Sequence, residues 1–242
     1  MQILEKIAFP NVPCSYDGET KYLDFVTRSD HRIPIRYYNG NYKFTMIICN
    51  GNAEDIGHSD PHEISKRFRV NVCLFDYAGY GLHSDSTASV DSCERDVLAV
   101  YNHIIDVKGV HPENIIIYGR SLGSYVACYL CHYLYHKDLN TDISRRKLIL
   151  ISPLMSAVKL VTNIYSPIDI LMNYKLAPDI EHTTLIIHGY QDRIVSHTCG
   201  YELSKLFHNL YNFVTLMNIG HNDIIFDSSY NDSILEFITT SQ

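Results

Sequence analysis

Residues 115–124 spell IIIYGRSLGS, and this stretch decides the fold. Its first four residues are β-branched or aromatic, as in a buried strand, and the run YVACYL at residues 125–130 is expected to form a helix. The pattern G-x-S-x-G between them predicts a sharp strand-to-helix turn with Ser121 at its apex. Gly119 and Gly123 would let strand and helix approach without a Cβ clash. For this stretch alone, an ordinary glycine–serine turn is the alternative.

Strands and helices alternate along the rest of the chain. Further apolar strands are predicted at residues 44–50, 72–76, 147–151, 184–188 and 213–218, and helices at 91–107, through Ile64, Phe68 and Val70, at 199–210 and at 233–238. Residues 21–28 and 32–38 predict an antiparallel hairpin at the sheet edge, turning at residues 29–31. This order predicts an α/β protein with a mostly parallel central sheet and helices on both faces. At 242 residues, one domain spanning 1–242 is expected.

Composition excludes several classes of function. A hydrophobic content of 46% and a charged content of 19% are ordinary for a globular protein. No apolar run approaches the ~20 residues that cross a bilayer, and a net charge of −7 argues against a general nucleic-acid binder. The seven scattered cysteines predict reduced thiols, and the first residues lack signal-peptide architecture. We therefore expect a cytoplasmic protein with at most peripheral membrane contact.

Three polar residues follow predicted strands in an order that serves nucleophilic catalysis: Ser121, Asp192 and His221. A serine needs a base, and histidine is suitable because its ordinary pKa lies near neutrality. The histidine needs a carboxylate to fix its tautomer. The chain order Ser–Asp–His is that of the α/β-hydrolase fold, which gathers such groups beyond the carboxyl ends of its strands. Asp223 is the rival carboxylate, disfavoured because it would have to double back within one turn.

A serine nucleophile also needs two backbone donors for the oxyanion that forms during acyl transfer. We expect one to be the N–H of Leu122, and the other to come from the loop after strand 44–50. Asn52 is the first choice in that loop and Ala53 the second. Such chemistry requires no cofactor, and no metal site is expected because no His, Cys or carboxylate cluster with metal-ligand spacing stands out.

Residues 154–177 are richer in large apolar side chains than a solvent-facing connection should be. They follow the strand next to the Ser121 turn, so we expect them to form a short lid or part of an acyl pocket. Leu154 and Ile168 are the candidate substrate-binding residues, and simple packing on the sheet is the alternative. A pocket here predicts a preference for medium or long acyl chains, since each buried methylene contributes ~0.8 kcal/mol.

Seven short motifs resemble the α/β-hydrolase-domain subgroup that includes the membrane-associated protein depalmitoylases. They are NGNAEDIG at 50–57, FDYAGYG at 75–81, HPENI at 111–115, YGRSLG at 118–123, SPL at 152–154, IHGYQD at 187–192 and GHND at 220–223. The resemblance implies a serine hydrolase with Ser121, Asp192 and His221 as triad. It further implies action, without a cofactor, on acyl esters or thioesters of small molecules or lipidated proteins. The family usually has histidine where this chain has Asn50.

Other functions stay open at this point. The same fold serves small-ester and monoacylglycerol hydrolases, because fold does not fix substrate. A catalytically silent binding protein is a second alternative. The presence of Ser121, Asp192 and His221 together argues against it. A peptidase ranks lower, because the chain lacks the large inserted cap that peptidases of this fold often carry.

Overall fold

The computed structural model describes residues 5, 8–10, 12–28, 31–83, 87–137, 143–162 and 166–240. The strands are β1 Leu23–Arg28, β2 His31–Tyr38, β3 Thr45–Cys49, β4 Asn71–Phe75, β5 Ile115–Arg120, β6 Lys147–Ile151, β7 Thr183–Gly189 and β8 Leu210–Leu216. The α-helices are α1 Pro61–Phe68, α2 Val90–Asp106, α3 Gly123–Lys137, α4 Ala157–Val161, α5 Asn173–Leu176, α6 His197–Ser204 and α7 Ser228–Thr239. Within these residues, no helix has both the length and the apolar character needed to cross a membrane.

The strands form one sheet in the order β1-β2-β4-β3-β5-β6-β7-β8. The hairpin β1–β2 lies at one edge, β2 pairs antiparallel with β4, and every later pairing is parallel. The predicted mostly parallel sheet and edge hairpin are confirmed. Residues 29–30 of the predicted hairpin turn lie outside the described residues.

The sheet separates two apolar clusters, which places helices on both of its faces as predicted. One cluster includes Val97 of α2 and Leu130 of α3, and the other includes Phe68 of α1 and Ile234 of α7. Strands β3 to β7 are buried along nearly their whole length. This explains their continuous apolar sequences, because strands covered on both faces have no solvent-facing side.

Three helices and one strand begin or end at residues other than those predicted. Helix α1 stops at Phe68, because Arg69 adopts a left-handed backbone with φ 55°, so Val70 is not helical. Helix α6 is shorter than predicted, and β8 begins at Leu210 rather than at 213. Helix α7 begins at Ser228, five residues before the predicted start, because the Asp227 carboxylate accepts a hydrogen bond from the Ser229 N–H.

Candidate active site

The turn between β5 and α3 has the strained geometry that its sequence predicts. Ser121 has φ 51°, in the left-handed region, and its N–H donates to the Ile151 carbonyl across 2.9 Å. A Cβ on Gly119 would lie 2.5 Å from the Gly123 oxygen, and one on Gly123 would lie 2.1 Å from the Cys49 oxygen. Only glycine fits at both positions, so the chain turns sharply and presents Ser121 at the carboxyl edge of the sheet.

The predicted base and carboxylate meet beyond β7 and β8. His221 Nδ1 lies 2.7 Å from Oδ2 of Asp192. The other carboxylate oxygen of Asp192 accepts from the N–H groups of Ile194 and Val195, at 2.9 and 2.8 Å. Burial raises the pKa of Asp192, but hydrogen bonds from His188 and His221 outweigh it and hold that pKa well below its usual range. Asp192 therefore stays ionised and orients the histidine ring.

His188 is a second histidine on Asp192, and the sequence analysis missed it. Its Nε2 lies 3.3 Å from Asp192 Oδ2 and 2.9 Å from the Val195 carbonyl oxygen. The ring is fully buried, and Gly200 makes room for it, since a Cβ there would lie 2.2 Å from His188 Nδ1. The available signal was a histidine inside the apolar strand β7, four residues before Asp192.

Arg120, which the sequence left without a role, connects the turn to two neighbouring loops. Its Nη2 donates to Oδ1 of Asn222 at 2.9 Å, and its Nη1 forms an ion pair with Glu54. The other carboxylate oxygen of Glu54 accepts from the Gly51 N–H at 3.1 Å. Arg120 thus binds the residue after His221 on one side and the loop at 50–55 on the other.

The backbone donors proposed from the sequence lie where α3 meets β3. We call the turn between β5 and α3 the elbow, and α3 the elbow helix. Close contact between Gly123 and the carbonyl oxygens of Cys49 and Asn50 brings the start of α3 against the 50–55 loop. Among the hydrogen bonds of the described residues, none uses the N–H of Leu122 or of Asn52. The Asn52 side chain accepts a hydrogen bond from the Tyr80 hydroxyl at 3.1 Å, which fixes its direction.

The remaining predicted site residues lie in differing environments. Asp223 is exposed and precedes a short 3-10 helix, Ile224–Phe226. Leu154 is 2% exposed and belongs to the core. Ile168 is 59% exposed, in the connection between α4 and α5. Residues 164 and 165 of the same predicted segment lie outside the described part of the chain.

Comparison with solved structures agrees with this architecture. Est1E from Butyrivibrio proteoclasticus, bound to ferulic acid, aligns over 89% of this chain and 97% of its own, with a TM-score of 0.66 and 14% identity. The esterase Pf2001 of Pyrococcus furiosus aligns over 95% of this chain and 96% of its own, with a TM-score of 0.65 and 17% identity. At these identities the likeness shows the fold.

The fold is that of the α/β hydrolases, and the sequence relatives and solved neighbours of the chain are alpha/beta hydrolase domain-containing proteins and esterases. No family model matches the chain. Its sequence is similar to alpha/beta hydrolase domain-containing protein 17B of Homo sapiens, with 28% identity over 204 residues that cover 82% of this chain and 67% of that protein. The aho-3 protein of Caenorhabditis elegans is 27% identical over 203 residues, which cover 82% of this chain and 58% of that one. The match thus spans about two thirds or less of these relatives.

Proposed function

We propose that the chain hydrolyses acyl esters or thioesters with Ser121 as nucleophile, His221 as base and Asp192 as its orienting carboxylate. One observation carries the proposal most directly. His221 lies 2.7 Å from Asp192, and the next residue, Asn222, is hydrogen-bonded to Arg120, which directly precedes Ser121. His221 is therefore held by a hydrogen bond to Asp192, and its neighbour Asn222 is held by a hydrogen bond to the residue that precedes Ser121.

The mechanism that these positions support consists of two acyl transfers. With Nδ1 of His221 facing Asp192, Nε2 accepts the Ser121 hydroxyl proton as Oγ attacks the carbonyl carbon. The N–H groups of Leu122 and Asn52 donate to the oxyanion. The tetrahedral intermediate then collapses, the leaving oxygen or sulfur takes the proton from His221, and an acyl group remains on Ser121. Water, deprotonated by His221, attacks that ester, releases the carboxylic acid and restores the serine.

Exposed apolar side chains near the site favour an acyl chain as part of the substrate. Ile194 is 57% exposed two residues after Asp192, and Met217 and Phe226 are 59% and 79% exposed on either side of His221. Ile168 is comparably exposed. Exposed apolar side chains that form one patch are typical of lipid or ligand contact. These side chains support a fatty acyl substrate and peripheral contact with a membrane surface.

The resemblance to the protein depalmitoylases narrows the acyl substrate further. It supports removal of fatty acyl groups from cysteine thioesters of lipidated proteins. A small-ester or monoacylglycerol hydrolase is the second candidate, because the buried position of Leu154 leaves only part of the 154–177 segment exposed beside the site. A catalytically silent protein would use the same fold without turnover.

Hydrolysis of nitrophenyl esters of graded chain length, beside a palmitoyl-thioester reporter, tests the proposal. We expect Ser121→Ala to lower turnover roughly 10⁴-fold or more, while Ser229→Ala, an exposed serine on α7, leaves it unchanged. We expect octanoyl and palmitoyl substrates to be preferred over acetyl. Ile168→Asp should reduce that preference without affecting acetyl turnover, and Val107→Asp, an exposed apolar residue at the far end of α2, should not.

Other results of these assays would contradict the proposal or favour one of the two alternative functions. Activity that survives Ser121→Ala would overturn the assignment of the nucleophile. Equal cleavage of acetyl and octanoyl esters would favour the small-ester hydrolase, and absence of turnover on every substrate would favour the silent protein.

A further inference from the structure

A group of metal-ligating side chains lies well away from the candidate active site. His132 and His136 project from the second half of α3, and Asp179 ends the 3-10 helix Ala177–Asp179. Helix α3 begins at the Ser121 turn, so at a rise of about 1.5 Å per residue His132 lies roughly 13 Å along the helix from that turn. The mechanism above uses none of these three residues.

The three potential ligand atoms converge on one point. Nε2 of His132 and Nε2 of His136 are 3.2 Å apart. Asp179 Oδ2 lies 3.3 Å from the first and 3.6 Å from the second. The i,i+4 spacing on α3 puts both imidazoles on one side of the helix, and the segment before β7 supplies the carboxylate.

These separations match the edges of a metal coordination polyhedron. A tetrahedral zinc ion with bonds of about 2.0–2.1 Å separates its ligand atoms by roughly 3.3–3.4 Å. We propose that His132, His136 and Asp179 bind a divalent transition-metal ion, zinc above all, with water in the fourth position. Two imidazole nitrogens and one carboxylate oxygen are ligands that zinc accepts, whereas calcium and magnesium prefer oxygen alone.

Hydrogen bonding and metal binding use the three atoms of this triangle differently. In a hydrogen-bonded arrangement, an Nε2–H group donates to the lone pair of the other imidazole or to the Asp179 carboxylate. A metal ion accepts electron pairs from both nitrogens and from the carboxylate together. The spacing His-x-x-x-His on a helix was not predicted as a site, because the third ligand comes from a position 43 residues further along.

A second group among the described residues fits a metal less well. Asp60, His62 and Glu63 also lie within reach of one another, but they come from a single stretch at the start of α1. The Asp60 carboxylate already caps that helix by accepting from the His62 N–H at 3.0 Å. The group of His132, His136 and Asp179, by contrast, combines residues from two segments that are distant in the chain. A metal there would brace the elbow helix against the connection that follows residues 154–177.

Cobalt and zinc titrations of the tag-free protein, after removal of metal with a chelator, test the site. We expect Co²⁺ to produce the visible absorption of a tetrahedral complex at one equivalent, and Zn²⁺ to displace it. Zinc should also raise the midpoint of thermal unfolding in a concentration-dependent way, because it binds the folded state preferentially.

Variants at the exposed ligands separate this site from others. His136→Ala and Asp179→Asn should weaken binding more than the roughly 10- to 100-fold that loss of an outer contact costs. His208→Ala, an exposed histidine after α6, should leave binding unchanged. Absence of both the cobalt absorption and the zinc-dependent shift would overturn the proposal. Binding that persists in both ligand variants, or is lost in His62→Ala, would also overturn it.

Discussion

Arg120 donates a hydrogen bond to Asn222 across 2.9 Å, which links the turn of the candidate nucleophile to the loop of the candidate base. Since Arg120 also pairs with Glu54, it holds three loops in one arrangement. Arg120→Met should lower kcat/KM roughly 10- to 100-fold, because small displacements of reacting groups have effects of that size.

Asn222→Ala should cause part of the same loss, and the double variant should lose less than the sum of the two free-energy changes. Arg95→Met, which removes an exposed arginine from α2, is the matched control. Steady-state kinetics on an octanoyl ester measures all four. Strict additivity of Arg120 and Asn222 would show that the link has no functional role.

Asp192 and Asp223 are distinguishable by parallel substitutions. Asp192→Asn removes the charge that faces His221 Nδ1 at 2.7 Å, so we expect a loss of kcat approaching the roughly 10⁴-fold seen when a triad carboxylate is replaced by its amide. Asp223 is exposed, so we expect Asp223→Asn to change kcat by less than about twofold. The reverse pattern in kcat would assign the carboxylate to Asp223.

Gly123→Ala tests the close approach of the elbow helix to β3. The added Cβ would lie 2.1 Å from the Cys49 carbonyl oxygen, so backbone must move. We expect the free energy of unfolding to fall by about 3 kcal/mol, measured by urea denaturation. Gly18→Ala has open space around its Cβ and should change stability little. Equal stability of both variants would contradict the packing described for the elbow.

Asp76 predicts a pH dependence of stability. Burial raises the pKa of Asp76 to about 7, while an unfolded aspartate titrates near 3.9, about its ordinary value. Between those values the folded state holds a proton that the unfolded state releases, so the free energy of unfolding should fall as pH rises from about 4 to about 7.

Asp76→Asn imitates the protonated acid and should flatten that slope in urea denaturation. Its side-chain oxygen can still accept the hydrogen bond that Asp76 receives from the Ile56 N–H at 2.9 Å. Asp91→Asn, at an exposed position of α2, is the control and should keep the slope of the unchanged protein. An identical slope in Asp76→Asn would show that Asp76 is ionised when folded.

The elbow could be predicted from sequence because its cause is local. Gly119 and Gly123 flank Ser121 within five residues, and the close contacts at both glycines leave no room for a Cβ. The buried strands were equally accessible, since apolar runs such as β6 encode burial on both faces. Strand β8 was misplaced at its start because it is an edge strand, only partly buried, with mixed polarity.

Apart from the pairing of His221 with Asp192, the interactions between distant segments were not predictable from one sequence. Arg120 precedes its partner Asn222 by 102 residues, and no local pattern announces that contact. The second hydrogen bond to Asp192, from His188, depends on how the turn after β7 folds back. Leu154 and Ile168 share an apolar segment, yet one is buried and the other exposed, because short helices divide the segment in ways that hydrophobicity alone does not specify.

Labelling with a fluorophosphonate probe, followed by mass measurement of peptides, tests the proposed nucleophile most directly. The probe reacts with serines that a neighbouring base activates, and its adduct stays on the residue attacked. We predict one adduct on Ser121, absent in Ser121→Ala and retained in Ser229→Ala. Folded protein that acquires no adduct on Ser121, or a Ser121→Ala variant that is labelled equally well, would contradict the account.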